Sequence, residues 1–160
     1  MDIFGNWRGR KAVSVPGLPD AGVVEHSAIV RLFESLRSTS EVQDLCQKLA
    51  DALVSDFGFR AASVRLLNRR TRLFEPRAFS GCTPTELERL STIDVSQRQL
   101  NDLSKGAPQC GRGFCVNARD ASWRERFDGK QSRIGIFPFA GNPGRAWGYV
   151  AGPLLQPNPD

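Results

Sequence analysis

The sequence predicts a mixed α/β (α+β) fold in which helices pack on an antiparallel sheet. Between residues 42 and 54, apolar side chains recur every three or four positions, which is the spacing of an amphipathic helix. Between residues 62 and 67, apolar and polar side chains largely alternate, as in a strand with one buried face. Near the end of the chain, two apolar runs flank residues 140–144, a segment rich in turn residues, and this arrangement predicts a hairpin.

The N-terminal part predicts an arm followed by a helix. Residues 1–22 contain proline and glycine among polar side chains without sustained periodicity, so we expect a flexible N-terminal arm. Residues 23–39 are predicted to form a helix whose apolar stripe consists of Ile29, Leu32, Phe33 and Leu36. This stripe is compatible with a dimer seam and equally with packing inside one subunit.

Capping signals mark the starts of three further helices. Ser40 and Gln43 have the spacing of a capping box, which predicts a second helix running to about residue 56. Residues 83–86 combine a cap residue, proline at the first helical position and glutamate three residues after the cap. Ser96 and Gln99 repeat the capping-box spacing and open a helix that should stop at Gly106.

The strands are predicted between these helices and after them. Residues 62–67 and 72–79 form a hairpin around the basic turn at residues 68–72. A short strand is expected at residues 114–116, and a turn of helix is expected around Trp123. In the terminal hairpin Pro138 should lie at a strand end or at an edge, since it cannot donate to a sheet ladder.

Composition excludes several functional classes. The net charge is +5, but the arginines are scattered and accompany no nucleic-acid-binding motif, so a nucleic-acid partner is not expected. The cysteines (Cys46, Cys82, Cys110 and Cys115) show no CxxC spacing, and His26 is the single histidine, so no metal site is predicted. We interpret the cysteines as reduced thiols of a cytoplasmic protein. The sequence has no apolar run long enough to span a membrane and no signal peptide at its start.

From residue 40 to residue 155, the order of elements resembles a GAF domain. The segments that carry the resemblance are residues 62–68, 73–81, 103–108, 117–120, 136–139 and 147–150. The last two match the closing hairpin of the family, including its proline and glycine. Residues 156–160 are then a tail or a linker.

The resemblance implies an antiparallel sheet with the terminal helices on one face and a roofed small-molecule pocket on the other. It implies a sensory or regulatory module of signal transduction, not an enzyme, with a homodimer and a fused or separate effector as expected partners. The candidate pocket residues are Arg77, Phe79, Arg112, Phe114, Asp120, Trp123, Phe127 and Phe137. The patterns by which family members bind cyclic nucleotides, bilins or haem are missing, so the cofactor and the ligand stay unknown.

An alternative interpretation rests on thiol chemistry. Residues 111–115 and 127–129 resemble segments of the free methionine sulfoxide reductases, whose fold is GAF-like. Cys110 and Cys115 would then attack the sulfoxide and resolve the intermediate, with Arg112 lowering the pKa of a nearby thiol. Residues 130–134 lack the histidine and the cysteine of that family, so a non-catalytic redox switch at the same two cysteines is the other form of this alternative.

Overall fold

The computed structural model describes residues 26–110, 113–117, 133–139 and 145–155. Four predicted features lie outside the described residues: the arm at 1–22, the turn of helix around Trp123, the hairpin turn at 140–144 and the tail at 156–160. The helices in the described part are α1 (His26–Arg37), α2 (Val42–Asp56), α3 (Pro84–Ser91) and α4 (Gln97–Ser104). The strands are β1 (Ala62–Leu67), β2 (Leu73–Ser80), β3 (Val95–Ser96), β4 (Gln109–Cys110), β5 (Gly113–Asn117), β6 (Arg133–Pro138) and β7 (Gly148–Pro153).

The strands form one antiparallel sheet in the order β3-β2-β1-β7-β6-β5-β4. Both predicted hairpins, β1–β2 and β6–β7, are confirmed, and Pro138 ends β6 as expected for a residue without an amide hydrogen. The register of β1 and β2 shifts between Val64 and Arg65, which leaves Arg77 as the extra residue of a bulge.

Both capping boxes of the short helices are confirmed. The Thr83 hydroxyl accepts from the amide of Glu86 at 3.2 Å, and the Glu86 carboxylate accepts from the amide of Thr83 at 2.9 Å. Ser96 and Gln99 make the same reciprocal pair at the start of α4. These bonds join groups three residues apart, so local sequence is enough to specify them.

The predicted capping box at Ser40 is wrong. Helix α2 begins at Val42 with Glu41 as its N-cap, and no side chain caps it. The Gln43 side chain donates instead to the carbonyl of Arg77 in β2, and the Gln47 amide donates to the carbonyl of Phe79 at 2.9 Å. The local pattern assigned the Gln43 side chain to the helix start, but this side chain contacts β2 instead.

The sheet is covered on both faces. Cys46 and Ala50 of α2 pack with Val64, Ala78 and Val150 on one face. The other face packs against residues of α3 and α4, including Leu90 and Leu100. The prediction that β1 has one buried face is therefore wrong, because its residues from Ala62 to Arg65 are all buried.

Helix α1 packs on α2, and polar contacts are among those that join the two helices. Arg31 approaches Asp56 at 3.4 Å, and the Lys48 ammonium donates to the carbonyl of Ser35 at 3.3 Å. Apolar side chains of both helices stay exposed, namely Val30, Val42 and Leu45. The outer surface of the helical layer thus carries exposed apolar side chains, of which Val42 and Leu45 belong to the periodic apolar positions of α2.

Candidate functional site

A row of paired residues crosses the sheet on the side opposite α2. The row follows the strand register and consists of Phe79, Ser63, Ala151, Ile136 and Phe114. We call this side the covered face, because α3 and α4 lie over it and supply Leu90 and Leu100 to the same apolar cluster, which also includes Val95 of the edge strand β3. Phe114 and Ile136 are exposed by no more than 1%.

The polar side chains in the middle of the covered face bond within the protein. The Ser63 hydroxyl donates to the carbonyl of Ala151 at 3.2 Å. Arg65 is 3% exposed and donates to the carbonyls of Leu90 at 2.7 Å and Phe74 at 3.4 Å, and also to that of Ile93. The wall that this face offers is consequently apolar.

The burial of Arg65 did not follow from the sequence pattern. Alternation in β1 placed it on the solvent side, whereas the structure buries it, and among the described residues no carboxylate lies within ion-pair distance of it. Burial lowers the pKa of its guanidinium, while Tyr149 and Asp94 raise it. Carbonyls at the C-terminal end of α3 carry partial negative charge, so they stabilise the buried cation.

The opposite end of α3 is held by a second arginine. The guanidinium of Arg60 makes a two-point contact with the Glu86 carboxylate, with Nη1 to Oε2 at 3.2 Å and Nη2 to Oε1 closer. Glu86 is fully buried and also belongs to the capping box, so one carboxylate serves the helix start and the ion pair. Helix α3 is therefore joined at its start to Arg60, which precedes β1, and at its end to Arg65 of β1.

The predicted pocket residues do not all lie together. Phe79 and Phe114 belong to the covered face. Arg77 lies in the bulge of β2, where its guanidinium is 3.6 Å from Glu75 and 43% exposed, and it influences Cys46 on the α2 side. Phe137 packs on the α2 side as well, with its ring 6.0 Å from that of Phe59.

For Phe137 the expectation is corrected: its side chain alternates to the face opposite Ile136, so it does not line the covered face. The bulge accounts for the position of Arg77, because it turns one residue out of the alternation. The other predicted pocket residues, Arg112, Asp120, Trp123 and Phe127, lie outside the described residues.

Comparison with solved structures identifies the architecture. The GAF domain of an Acinetobacter phosphoenolpyruvate-protein phosphotransferase aligns with a TM-score of 0.57 and 16% identity, covering 84% of this chain and 79% of that one. The nlh2 GAF domain of A. aeolicus, in an inactive state, aligns with a TM-score of 0.54 and 10% identity, covering 82% and 79%. This chain has the GAF fold.

A third structure with the GAF fold's arrangement is an enzyme. The free methionine-R-sulfoxide reductase of Neisseria meningitidis, in complex with its substrate, aligns with a TM-score of 0.60 and 11% identity, covering 94% of this chain and 85% of that chain. No protein-family model matches the sequence, and no curated protein matches it significantly. The likeness therefore concerns the fold, and it includes both GAF domains and a reductase.

Within this GAF fold, Cys110 and Cys115 form a disulfide. The expectation of reduced thiols is wrong for this pair, because antiparallel pairing of β4 with β5 places the two Cα atoms 6.2 Å apart. Both cysteines are buried with Phe59, Ala62 and Leu154 on the α2 side of the sheet. The thiol alternative implied cysteines over a pocket; the two cysteines lie on the side of the sheet opposite the covered face.

The remaining thiols are not activated. Burial raises the pKa of Cys46, with Arg77 opposing the shift. Burial, with the Glu86 carboxylate adding to it, raises the pKa of Cys82 to about 11. A thiol in such an environment carries little thiolate at neutral pH, so neither residue is a nucleophile there.

The described residues show neither a metal-binding cluster nor a membrane-spanning helix. No group of three or more histidine, cysteine, aspartate or glutamate side chains in this part of the chain could hold a metal ion. None of its helices has the length and apolar character needed to cross a membrane.

Proposed function

We propose that this protein is a GAF-type regulatory module that binds a small molecule between the covered face of the sheet and its cover. The observation that carries the proposal is an apolar wall beneath a helix fastened at both ends. Arg60 and Arg65 hold α3, so the wall keeps a defined shape under it. Binding sites for small molecules are mostly apolar with few placed polar groups, and this wall has that composition.

The chemistry of the wall favours an apolar or aromatic ligand. Ser63 and Arg65 have their donors engaged by backbone carbonyls, so a ligand would gain dispersion contacts with Phe79, Ala151 and Ile136 rather than hydrogen bonds. Arg112 and Asp120 stay predictions as polar anchors, and Trp123 and Phe127 stay predictions as aromatic lining. A ligand can shift the module between arrangements only by its difference in affinity for them.

The test is mass spectrometry of the purified protein under native and then denaturing conditions, on a matched pair of variants. Ala151 and Val150 are neighbours in β7 that face opposite sides of the sheet. We expect extra mass on the wild type that denaturation removes. Ala151→Leu should abolish it by filling the covered face, and Val150→Leu should retain it. A bare wild-type mass, or equal loss in both folded variants, contradicts the proposal.

The proposal includes a homodimer formed through the helical layer. Exposed apolar side chains at Val30, Val42 and Leu45 support this role, since such groups favour burial against a partner. Light scattering coupled to size exclusion should give a dimer for the wild type and a monomer for Leu45→Glu. Leu87→Glu, at an equally exposed leucine of α3, is the control and should stay dimeric.

We further propose that the module acts in the cytoplasm on a fused or separate effector. In that compartment disulfides are rarely structural, so a disulfide there favours a second candidate function: redox sensing by Cys110 and Cys115. A peroxide would accept two electrons from the two thiols, giving the disulfide and water. Mass spectrometry of alkylated protein should show both cysteines protected after peroxide and free after a dithiol reductant. Protection that no reductant reverses in the folded protein contradicts sensing.

Catalysis is the third possibility, and we propose that the protein is not an enzyme. A sulfoxide reductase would convert two thiols and a sulfoxide into a disulfide, a thioether and water. The burial of Cys110 and Cys115 on the α2 side, away from the covered face, disfavours that use. Turnover of free methionine sulfoxide with a dithiol reductant, lost in Cys115→Ser, would overturn this conclusion.

A further inference from the structure

A cluster of arginines and one tryptophan lies where β1 ends and β7 begins. The turn between β1 and β2 carries Arg69, Arg70 and Arg72, and the lead-in to β7 carries Arg145 and Trp147. The two segments are adjacent, because the amide of Leu67 donates to the carbonyl of Trp147 at 2.8 Å. We call these five residues the basic–aromatic end.

The turn that presents the arginines is held in one conformation. The side-chain oxygen of Asn68 accepts hydrogen bonds from the backbone amides of Arg70 at 2.9 Å and Thr71 at 3.3 Å. The Asn68 side-chain amide donates to Glu75 at 2.7 Å, and Arg72 closes the turn with a φ of 62°. An ordered backbone lowers the entropy lost when the side chains bind a partner.

The tryptophan is held as firmly, although it is exposed. Ala146 beside it is 1% exposed, and the Trp147 ring lies 5.0 Å from that of Phe139. Trp147 nevertheless keeps 57% of its surface in water, the largest exposed aromatic side chain among the described residues. An aromatic ring that is fixed and exposed is the usual anchor of a protein interface.

Within the described part of the chain, the charges of this end are not paired with carboxylates. Arg60, Arg31 and Arg77 each pair with a carboxylate. Across the described residues, no acidic side chain lies within ion-pair distance of any of the four arginines of the basic–aromatic end. The surface is therefore complementary to a partner with closely spaced carboxylates.

We propose that the basic–aromatic end docks an acidic segment of a partner protein, with Trp147 as the apolar anchor and the arginines pairing with carboxylates. Arginine and tryptophan are the residues that dominate binding energy at protein interfaces. Single-stranded nucleic acid instead requires several aromatic platforms along a basic groove, and this end offers one exposed ring. The proposal deepens the proposed function, because a regulatory module must contact its effector.

The experiment is a fluorescence anisotropy titration of a labelled peptide rich in aspartate and glutamate with one phenylalanine. We expect binding by the wild type and a loss of at least about tenfold in Arg69→Gln/Arg70→Gln and in Trp147→Ala. Arg31→Gln/Lys105→Gln removes the same net charge from exposed side chains outside this end and should change the affinity less than about twofold.

Three results overturn the proposal: no binding by the wild type, an equal loss in the control variant, or tighter binding of a single-stranded oligonucleotide than of the peptide. Melting temperatures confirm that each variant is folded. Native mass spectrometry of Arg69→Gln/Arg70→Gln separates this proposal from the ligand proposal, since these substitutions lie outside the covered face. The variant that no longer binds the peptide should still carry the extra mass of the small molecule.

Discussion

Arg65 is the residue on which the covered face depends. It brings a positive charge into the middle of the sheet, and backbone carbonyls rather than a carboxylate stabilise that charge. Two of the carbonyls belong to Leu90 and Ile93, at the end of α3 and just beyond it. The side chain thereby ties a central strand to its cover, and both ends of this connection are buried.

Replacing this arginine should release the cover. Arg65→Met retains the length of the side chain but leaves buried carbonyls without a donor, so we expect a loss of about 2–4 kcal/mol in the free energy of unfolding. Urea denaturation measures the loss, and amide exchange should rise first in α3. Arg98→Met, at an exposed site, should change stability by less than about 0.5 kcal/mol. A stable Arg65→Met protein with a protected α3 would refute this role.

Cys82 should make the protein sensitive to alkaline pH. Its pKa rises from 9.0 to about 11 on folding, so the folded state holds the proton more tightly than the unfolded state. The resulting stabilisation is complete below pH 9 and is lost as the pH rises toward 11. Melting temperatures should therefore fall more between these pH values in the wild type than in Cys82→Ala. Parallel curves would show that this thiol does not contribute.

Helix α3 is fixed by a local capping box and by an ion pair to a residue that is distant in the chain. The capping box at Thr83 and Glu86 starts the helix, and the ion pair to Arg60 fastens that start to the sheet. The Glu86 carboxylate at the N-terminus of the helix and the buried Arg65 guanidinium at its C-terminus both interact favourably with the helix dipole. Helix α4 has its own capping box but no comparable ion pair to the sheet in the described residues. Of the two helices, α3 is the fixed one.

The two functions of Glu86 can be separated by substitution. Glu86→Gln keeps a capping residue but leaves Arg60 without its carboxylate, and we expect a loss of about 2–3 kcal/mol in unfolding free energy. Thr83→Ala removes only the cap and should cost about 1 kcal/mol. In a double-mutant cycle, Arg60→Gln should recover part of the loss in Glu86→Gln. Strict additivity would mean that the ion pair contributes nothing.

At the scale of the whole molecule, the sheet separates two environments. Phe114 and Cys115 are neighbours in β5, yet Phe114 lies on the covered face and Cys115 lies in the disulfide on the α2 side. The covered face and the disulfide are thus only one residue apart along β5. If the sheet couples them, ligand and redox state affect each other by the same free energy.

Reducing the disulfide should weaken the fold. Cys110 and Cys115 are 5 residues apart, and the loop-closure entropy for so short a loop corresponds to about 2 kcal/mol. A dithiol reductant should therefore lower the melting temperature of the wild type. The same reductant should leave Cys110→Ser/Cys115→Ser unchanged at the lower value. Cys82→Ser, which keeps the pair, should respond like the wild type. An unchanged melting temperature on full reduction would contradict the prediction.

Features that depend on neighbours along the chain could be predicted from the sequence. The starts of α3 and α4, both hairpins and the end of β6 at Pro138 follow from hydrogen bonds and backbone limits within a few residues. From these the order of elements and its likeness to the GAF fold could be predicted.

Contacts between groups that are distant in the chain follow from tertiary packing. Alternation along a strand is the same whichever face is covered, so it could not show that Arg65 is buried or that Phe137 points toward α2. The pairing of Cys110 with Cys115 depends on the register of β4 and β5, and the partner of Gln43 depends on how α2 lies on β2. Each of these contacts joins segments whose distance is set by the packing of the whole sheet, which is why local pattern could not predict them.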